Sequence, residues 1–255
     1  MVVSIVTGAS SGIGREFAKC VSNEFPADEM WLISRRRDRL IELEKELGCK
    51  CRIFAMDLTL PDSLMKLQIL LKLTNAEVST LVNASGIGRF ALSTEVSSEI
   101  NDRMIDLNVK ALTHICFMCI PYMKAGSSII NMGSLSSFQP VPYINVYGST
   151  KAYVLSFTRA LNVELKSRGI RCICVCPGWV KTEFFDHAIS DNNAITYFNK
   201  LREPAPVAKK AMKDLKKGKD LTIYGLSERI QVLATKLFSH KFVMKVWMKQ
   251  QGHDS

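Results

Sequence analysis

Uniformly apolar runs alternate with helical patterns along most of the chain. The run Val2–Val6 predicts a buried strand, and Arg15–Glu24 after it has helical periodicity. Further strands are predicted at Met30–Ile33, Cys51–Ala55, Thr80–Val82, Ser128–Met132 and Arg171–Val175, and further helices at Pro61–Thr74, Ser98–Ile120 and Tyr147–Ser167. Strands that alternate with helices predict a parallel sheet with helices on both faces, because each parallel connection needs a crossover. Right-handed crossovers then predict an α/β, single-domain, doubly wound Rossmann fold.

The end of the chain has a different pattern. A lysine-rich helix is predicted at Pro204–Gly218 and a last strand at Leu221–Tyr224, so we assign residues 1–225 to the Rossmann-fold domain. Residues 226–255 form a basic amphipathic extension with a predicted break at Ser239-His240. Its apolar stripe favours packing onto its own domain or onto a second subunit, with peripheral contact to an anionic membrane as the third reading.

A glycine-rich turn, Thr7-Gly8-Ala9-Ser10-Ser11-Gly12-Ile13-Gly14, follows the first strand directly and opens the first helix. This arrangement holds the pyrophosphate of a dinucleotide, because glycines allow close backbone approach and the helix N-terminus directs free N–H groups at phosphate. The turn residues predicted to contact such a cofactor are Gly8, Ser10, Ser11, Gly12, Ile13 and Gly14.

The second predicted strand ends in Ser34-Arg35 where an acid would bind the ribose hydroxyls of NAD. Two guanidiniums, Arg35 and Arg15, and the Ser34 hydroxyl suit a 2′-phosphate instead. We therefore predict NADP(H) as the cofactor. The alternative is that the neighbouring Arg36, Arg37 and Arg39 only form a solvated helix start, which fits Arg35 least.

Tyr147 and Lys151 are four residues apart in a predicted helix, so their side chains share one face. A nearby ammonium favours the phenolate and lowers the pKa of a tyrosine, which can then exchange a proton with an alcohol or ketone oxygen. By itself the spacing is far more typical of a half-buried tyrosine beside a solvated lysine. The dinucleotide motif upstream favours the catalytic reading.

With these motifs, the segment from Val3 to Thr182 resembles the classical short-chain dehydrogenase/reductase family. The resemblance rests on the glycine-rich turn, Asp57, Asn83-x-x-Gly86, Asn108, Ser134, Tyr147-x-x-x-Lys151 and Pro177-Gly178. One departure is Asn83-Ala84-Ser85-Gly86, where the family often has Asn-Asn-Ala-Gly.

The resemblance implies a role for each matching residue. Tyr147 would be the acid or base, Lys151 would lower its pKa and bind the nicotinamide ribose, and Ser134 would bind the substrate oxygen. Asn108 would hold a water in a proton relay. The remaining cofactor contacts would come from Asp57, Leu58, Asn83, Gly86, Pro177, Gly178, Val180 and Thr182.

The stretch after Pro177-Gly178 would cover the substrate as a lid at about residues 183–205. Its aromatic side chains, Phe184, Phe185 and Tyr197 among them, favour a bulky and largely apolar substrate. Equally, they could pack the lid onto the body of the domain. Hydroxysteroid-like and 3-oxoacyl-like substrates both fit, and no residue separates them.

These observations predict an NADP(H)-dependent oxidoreductase that interconverts a ketone and a secondary alcohol. The alternative is a non-catalytic NADP(H)-binding sensor or scaffold, which would have no chemical need for Asn108, Ser134, Tyr147 and Lys151 together. The predicted partners are the small-molecule ketone or alcohol and further copies of the chain, in a dimer or tetramer.

Composition bears on the size of the core, the state of the cysteines and the cellular location of the protein. Of 255 residues, 47% are hydrophobic, which is enough for a sizeable core. The eight cysteines lack zinc spacing and are expected to be reduced thiols, so no metal site is predicted. Met1 leads at once into a strand pattern without a leader, and no apolar run approaches the roughly 18 residues of a membrane span. We therefore expect a cytoplasmic protein that meets a membrane only peripherally.

Charge is concentrated at the end of the chain. The net charge is +10, and residues 204–255 hold 11 lysines and arginines against 4 acids. Basicity therefore belongs to the tail, and without a recognisable nucleic-acid-binding module it does not predict nucleic acid as a partner.

Overall fold

The structure is a computed structural model that describes residues 1–25, 27–189, 194–198 and 200–253. In this part of the chain one parallel sheet has the strand order β3-β2-β1-β4-β5-β6-β7. The strands are β1 Val2–Thr7, β2 Glu29–Ser34, β3 Cys51–Ala55, β4 Glu77–Asn83, β5 Ser128–Met132, β6 Arg171–Val175 and β7 Leu221–Thr222. The predicted doubly wound parallel sheet is confirmed.

The helices that connect and follow these strands are α1 Gly12–Glu24, α2 Arg37–Leu47, α3 Pro61–Thr74, α4 Ser98–Ile105, α5 Leu112–Cys119, α6 Asn145–Glu164, α7 Phe184–Ala188, α8 Pro204–Lys216, α9 Leu226–Leu237 and α10 His240–Gln250. The predicted lid extends over residues 190–193 and 199, which lie outside the described residues.

Two apolar layers enclose the sheet, because strands buried on both faces have no polar side to expose. On one face the core contains Leu67 and Leu71 of α3 with Val154 and Leu161 of α6. The other face packs Phe17 and Val21 of α1, Leu40 and Leu43 of α2, and Val207 and Ala211 of α8. The helices therefore lie on both sides, and the carboxyl ends of the strands are left to form a cleft.

The topology fixes where that cleft opens. The chain leaves β1 to one side through β2 and β3, and to the other side through β4, β5 and β6. Ligands of such sheets bind where the strand order reverses, which here is the edge shared by the carboxyl ends of β1 and β4. The glycine-rich turn after β1 and the segment after Asn83 meet at this edge.

The predicted helix Ser98–Ile120 is continuous but irregular. A π-helical segment, Asp106–Ala111, joins α4 to α5 and has Asn108 fully buried. π segments inside α-helices are rare and often mark functional positions. The stretch Ser98–Tyr122 is also long and apolar enough to cross a membrane by length and composition, contrary to the sequence-based expectation. In the fold one side of this helix packs into the core of the domain through Leu112 and Cys116.

The extension forms two helices, and the change of direction between them is capped. α9 ends at Leu237, and Ser239 is the N-cap of α10, where its hydroxyl accepts a hydrogen bond from the backbone N–H of Phe242 at 3.3 Å. Ser239 has an extended backbone, which an N-cap requires. The predicted break therefore lies at the start of α10.

Candidate active site

A single deep cleft at the carboxyl edge collects most of the predicted site residues. Its wall includes residues from the glycine-rich turn, from the ends of β2, β3, β4 and β5, and from the lid. The predicted residues in the wall are Gly8, Ser10, Ser11, Gly12, Ile13, Gly14, Ser34, Arg35, Asp57, Leu58, Gly86, Ser134, Tyr147, Lys151, Pro177, Gly178, Val180, Thr182, Phe184 and Phe185. Arg15, Asn83, Asn108 and Tyr197 are not part of it.

The glycine-rich turn leaves no room for side chains. A Cβ on Gly8, whose φ is +68°, would lie 2.7 Å from the backbone of Ala84, and one on Gly14 would lie 2.3 Å from the carbonyl oxygen of Gly8. Thr7 fixes the turn to the neighbouring strand, since its hydroxyl accepts hydrogen bonds from the N–H groups of Ala84 and Ser85 at 3.1 and 3.2 Å. The first N–H groups of α1 therefore face a cradle that is open to a phosphate.

The arginines that lie at the cleft are not the two that the sequence predicted. Arg15 pairs with Glu46 at 2.6 Å and faces α2 rather than the cleft. Arg36 instead donates hydrogen bonds to Ser10 Oγ at 3.0 Å and Ser11 Oγ at 2.7 Å, and pairs with Glu183 of the lid at 2.5 Å. Arg35 lines the cleft as predicted, and Arg36 lines it as well.

Asp57 lies in the wall in its charged form. Burial alone would raise its pKa, but hydrogen bonds from Thr59 and the charges of Arg103 and Arg35 outweigh that effect and hold the pKa below its ordinary value. Its oxygens accept from Thr59 Oγ1 at 2.8 Å and from Arg103 at 3.1 Å. The carboxylate is thus fixed beside the buried Leu58.

Asn83 points away from the cleft. Its amide nitrogen donates to Asn131 Oδ1 at 2.9 Å and contacts Cys116 Sγ at 3.3 Å, inside the core. The cleft wall after β4 is formed instead by Ala84, Ser85 and Gly86. A direct contact between the Asn83 side chain and a cofactor does not fit this position, and a structural role at the end of β4 does.

Asn108 also has its side chain occupied. Its amide nitrogen donates to the carbonyl oxygen of Ile87 at 2.9 Å and to Thr150 Oγ1 at 3.1 Å, and its Oδ1 accepts from the Ile87 N–H at 3.0 Å. These bonds join the π segment to the loop after β4 and to α6. A water bound at Asn108 would therefore depend on the backbone or on the remaining lone pair of Oδ1.

Tyr147 and Lys151 lie together on the first turns of α6. The Lys151 ammonium is 5.7 Å from the centre of the Tyr147 ring and donates a hydrogen bond to the carbonyl oxygen of Met132 at 2.8 Å. Burial lowers the pKa of Lys151 to about 8. Burial also raises the pKa of Tyr147 to about 12, against the opposing effect of a hydrogen bond with Ser134. The pKa of Tyr147 is therefore raised, not lowered as the spacing predicted, because desolvation outweighs the hydrogen bond with Ser134.

Ser137 connects the Ser134 loop to α6. Its hydroxyl donates to the backbone carbonyl of Lys151 at 2.8 Å and accepts from the backbone N–H of Ser134 at 3.2 Å. The Ser134 hydroxyl in turn accepts from the N–H of Ser136 at 3.2 Å. Ser137 therefore joins the backbone at Ser134 to the backbone of α6, which keeps Ser134, Tyr147 and Lys151 together as one unit at the end of β5.

The outer half of the cleft is aromatic, and part of it comes from the extension. Phe184 packs against Tyr147 with ring centres 5.5 Å apart, and Phe90 lies 6.0 Å from the rings of both Tyr147 and Trp179. Trp247 of α10 stacks on Trp179 at 6.5 Å and lines the cleft. The sequence places Trp247 only within the basic amphipathic extension, because no local pattern indicates a contact with a distant segment.

Tyr197 is held outside the cleft by the end of the chain. Its backbone N–H donates to Gln251 Oε1 at 2.9 Å, and the Gln251 amide donates back to the Tyr197 carbonyl at 3.2 Å. The ring itself is 48% exposed. This segment of the lid is thus fixed to the residue that follows α10, and Tyr197 is half exposed to solvent.

Comparison with known proteins agrees with this geometry. Residues 2–193 match the family model described as short chain dehydrogenase. The chain is 34% identical to sulfoacetaldehyde reductase 2 of Chromohalobacter salexigens over 194 residues, which cover 71% of this chain and 74% of the relative. It is 32% identical to very-long-chain 3-oxoacyl-CoA reductase-B of Danio rerio over 191 residues, covering 71% of this chain and 60% of the relative.

A solved short-chain dehydrogenase from Sphingobium yanoikuyae, in complex with NADPH, is similar over 96% of both chains with a TM-score of 0.78 and 26% identity. The family model covers most of the chain and includes the glycine-rich turn, Tyr147 and Lys151. The chain therefore belongs to the short-chain dehydrogenase family and is an oxidoreductase that acts on C=O or CH–OH groups.

Proposed function

We propose that the protein is an NADP(H)-dependent oxidoreductase that interconverts a ketone and a secondary alcohol on a bulky, largely apolar substrate. The observation that supports it best is the unit of Ser134, Tyr147 and Lys151 at the inner end of a cleft whose outer wall is aromatic. A phenol and a serine hydroxyl at one point can bind and protonate a developing alkoxide.

The cofactor fits the inner part of the cleft. The turn at Gly8, Gly12 and Gly14 is a cradle that any Cβ would fill, which suits a pyrophosphate. Arg35 and Arg36 with Ser34 offer charged donors to a 2′-phosphate, and the Sphingobium yanoikuyae relative is in complex with NADPH. When bound, NADPH supplies the hydride. Arg36 would exchange its pairing with Glu183 for the phosphate.

The residues of the chain would then perform the proton chemistry. Ser134 donates a hydrogen bond to the substrate oxygen and orients the carbonyl, while Tyr147 gives that oxygen its proton during reduction and takes it back during oxidation. Lys151 supplies positive charge that eases proton loss from Tyr147 and binds the nicotinamide ribose. Asn108 fixes the loop at Ile87 against α6 and thereby holds this region in register.

The substrate class follows from the outer wall. Phe90, Trp179, Phe184, Phe185 and Trp247 line the cleft and offer apolar surface with few polar groups. An oxosteroid or the apolar part of a 3-oxoacyl thioester suits such a wall, whereas a small charged carbonyl compound gains little from it. We therefore propose Phe184, Phe185, Phe90, Trp179 and Trp247 as substrate contacts. Tyr197, which lies outside the cleft, is not part of this proposal.

Assembly and location belong to the same proposal. We expect a dimer or tetramer, since Phe117 of α5 and Val163 of α6 are 56% and 72% exposed and present apolar surface on one face of the domain. We expect the protein in the cytoplasm. Light scattering during size exclusion would test the assembly, and a monomer at all concentrations would remove it.

The function is tested by mixing purified protein with NADPH or NADH and a panel of oxosteroids, 3-oxoacyl thioesters and simple bulky ketones. Consumption of reduced cofactor is followed by absorbance, with Tyr147→Phe as the blank. We expect turnover with NADPH and an apolar ketone. Failure of every ketone, with NADPH binding still visible by fluorescence, would contradict catalysis and support the alternative of a binding protein.

A further inference from the structure

The extension presents an exposed apolar face to solvent. In α9, Leu226, Ile230, Leu233 and Leu237 recur at helical spacing, and all four are more than half exposed. Phe238 before α10 and Phe242 and Val246 on it are exposed as well, and the ring centres of Phe238 and Phe242 lie 5.1 Å apart. We call these seven side chains the outer face. Bulky apolar groups at this spacing rarely remain in contact with water without a partner.

The opposite side of both helices is already used in packing. Glu228, Val232 and Thr235 of α9 are buried, and Arg202 binds the Glu228 carboxylate through two hydrogen bonds of 2.8 and 3.0 Å. In α10, Trp247 is buried and donates to the carbonyl oxygen of Pro142 at 3.1 Å. The inner sides of both helices therefore pack on the domain. The outer face points the other way and is not used in this packing.

The charge around the outer face has one sign. Arg229, Lys236, Lys241, Lys245 and Lys249 are all exposed on these helices. The only acid between residues 226 and 250 is Glu228, which points inward and is neutralised by Arg202. A second copy of the chain would bring five cations against five cations, which opposes self-association through this face.

A lipid surface satisfies both features at once. Apolar side chains insert at the headgroup boundary, and flanking lysines reach anionic headgroups through their flexible stems. We propose that the outer face docks the protein on an anionic membrane surface. Lys241, Lys245 and Lys249 repeat every four residues directly before or beside Phe242 and Val246, so the charges border the apolar stripe along its length. A protein partner with an acidic groove is the competing occupant, and the test below distinguishes it from lipid.

The orientation of α10 gives the contact a consequence. Val246 belongs to the outer face, and the next residue, Trp247, lines the cleft from the inner side of the same helix. Docking would therefore place the aromatic half of the cleft one helix away from the lipid. This step rests on the proposed function, whereas the docking itself does not.

The test is flotation of the full-length protein with vesicles of phosphatidylcholine alone or mixed with phosphatidylglycerol. We expect binding to the anionic vesicles only, weakened by salt. Leu233→Glu with Phe242→Glu should abolish it. The matched control is Ile69→Glu with Leu73→Glu, which adds the same charge at exposed apolar positions of α3 and should leave binding intact.

Replacing Lys241, Lys245 and Lys249 together by Gln should weaken binding about a hundredfold, since each cation near an anionic surface contributes about fivefold. NADPH binding by fluorescence verifies folding in every variant. No flotation of the wild type, or equal loss in the control pair, would overturn the proposal. If the wild type does not float but binds soluble polyglutamate, the result would indicate an acidic protein partner. If the wild type does not float and the outer-face variant becomes a monomer, the result would indicate a second copy of the chain.

Discussion

The ammonium of Lys151 lies 5.7 Å from the centre of the Tyr147 ring, yet its hydrogen bond goes to the carbonyl oxygen of Met132. Both groups are buried enough that each pKa moves toward the neutral form, to about 8 for Lys151 and about 12 for Tyr147. At neutral pH Tyr147 therefore keeps its proton, and Lys151 is still mostly charged but loses its charge as the pH rises through about 8. A bound ligand that restores polar contacts around Lys151 would favour its charge and, with it, proton loss from Tyr147.

Tyr147→Phe tests the proton step directly. The change removes one hydroxyl and keeps the ring that packs against Phe90 and Phe184. We expect turnover to fall by about 10²- to 10⁴-fold, the usual contribution of a positioned acid or base. The dissociation constant for NADPH, measured by fluorescence, should stay near the wild-type value. Turnover close to wild type would disprove the role of Tyr147.

The pKa of Lys151 predicts how cofactor binding depends on pH. Its lowered pKa means that the ammonium is present below about pH 8 and is lost as the pH rises through that value. If Lys151 binds the ribose as a cation, NADPH affinity should decline above about pH 8 in the wild type. Lys151→Met should bind more weakly throughout and show no decline in this range. A wild-type affinity that is flat from neutral pH upward would contradict a role for the charge.

The spacing of Tyr147 and Lys151 and the strand–turn–helix order could be read from the sequence, because helical and strand periodicities are local. The partners of individual arginines could not. Arg15 and Arg36 are alike in residue type, but Glu46 of α2 holds Arg15 away from the cleft, while Ser10 and Ser11 hold Arg36 at its edge. Such choices depend on contacts between residues that are 25 and 31 positions apart in the sequence.

The same limit applies to Asn83 and Trp247. A motif places Asn83 at the end of a strand but does not say to which side its amide turns, and the core network with Asn131 decides that. Trp247 follows a regular amphipathic pattern, and its contact with Pro142 joins positions 105 residues apart. No local pattern carries that information, so the sequence did not predict that the C-terminal extension forms part of the cleft wall.

The arginines make a prediction about cofactor choice. Arg35→Ala and Arg36→Ala should each weaken NADPH about 10- to 100-fold while changing NADH little, because a hydrogen bond to a charged group contributes about 1.5–3 kcal/mol. Arg15→Ala is the matched control, since its guanidinium is paired with Glu46 and faces away from the cleft. Binding titrations with both cofactors give the result. Equal losses for NADPH and NADH would count against a 2′-phosphate site.

The pair of Arg202 and Glu228 predicts a dependence of stability on pH. Burial alone would raise the pKa of Glu228, but hydrogen bonds from Arg202 and Ser227 outweigh it and hold the pKa below its ordinary value. The stabilisation is therefore fully present above the unfolded pKa and is lost as the pH falls through the folded one. Glu228→Gln should lower the free energy of unfolding by roughly 3 kcal/mol at neutral pH. It should also reduce the decrease of the free energy of unfolding at acidic pH. An unchanged denaturant midpoint together with an unchanged decrease at acidic pH would refute the stabilising role of this pair.

Trp247→Ala separates a pocket wall from a merely structural side chain. Removing the indole opens space beside Trp179 and deletes the hydrogen bond to the Pro142 carbonyl, so the protein should lose about 3–5 kcal/mol of stability. If Trp247 contacts substrate, KM for the bulkiest ketone should rise while KM for a small ketone and the affinity for NADPH stay constant. Val232→Ala, which shortens a buried side chain of α9 outside the cleft, controls for loosening of the extension. A parallel rise in KM for large and small ketones in both variants would show that Trp247 contributes to packing alone. A rise confined to the bulky ketone and to Trp247→Ala would show that the C-terminal extension is part of the substrate site.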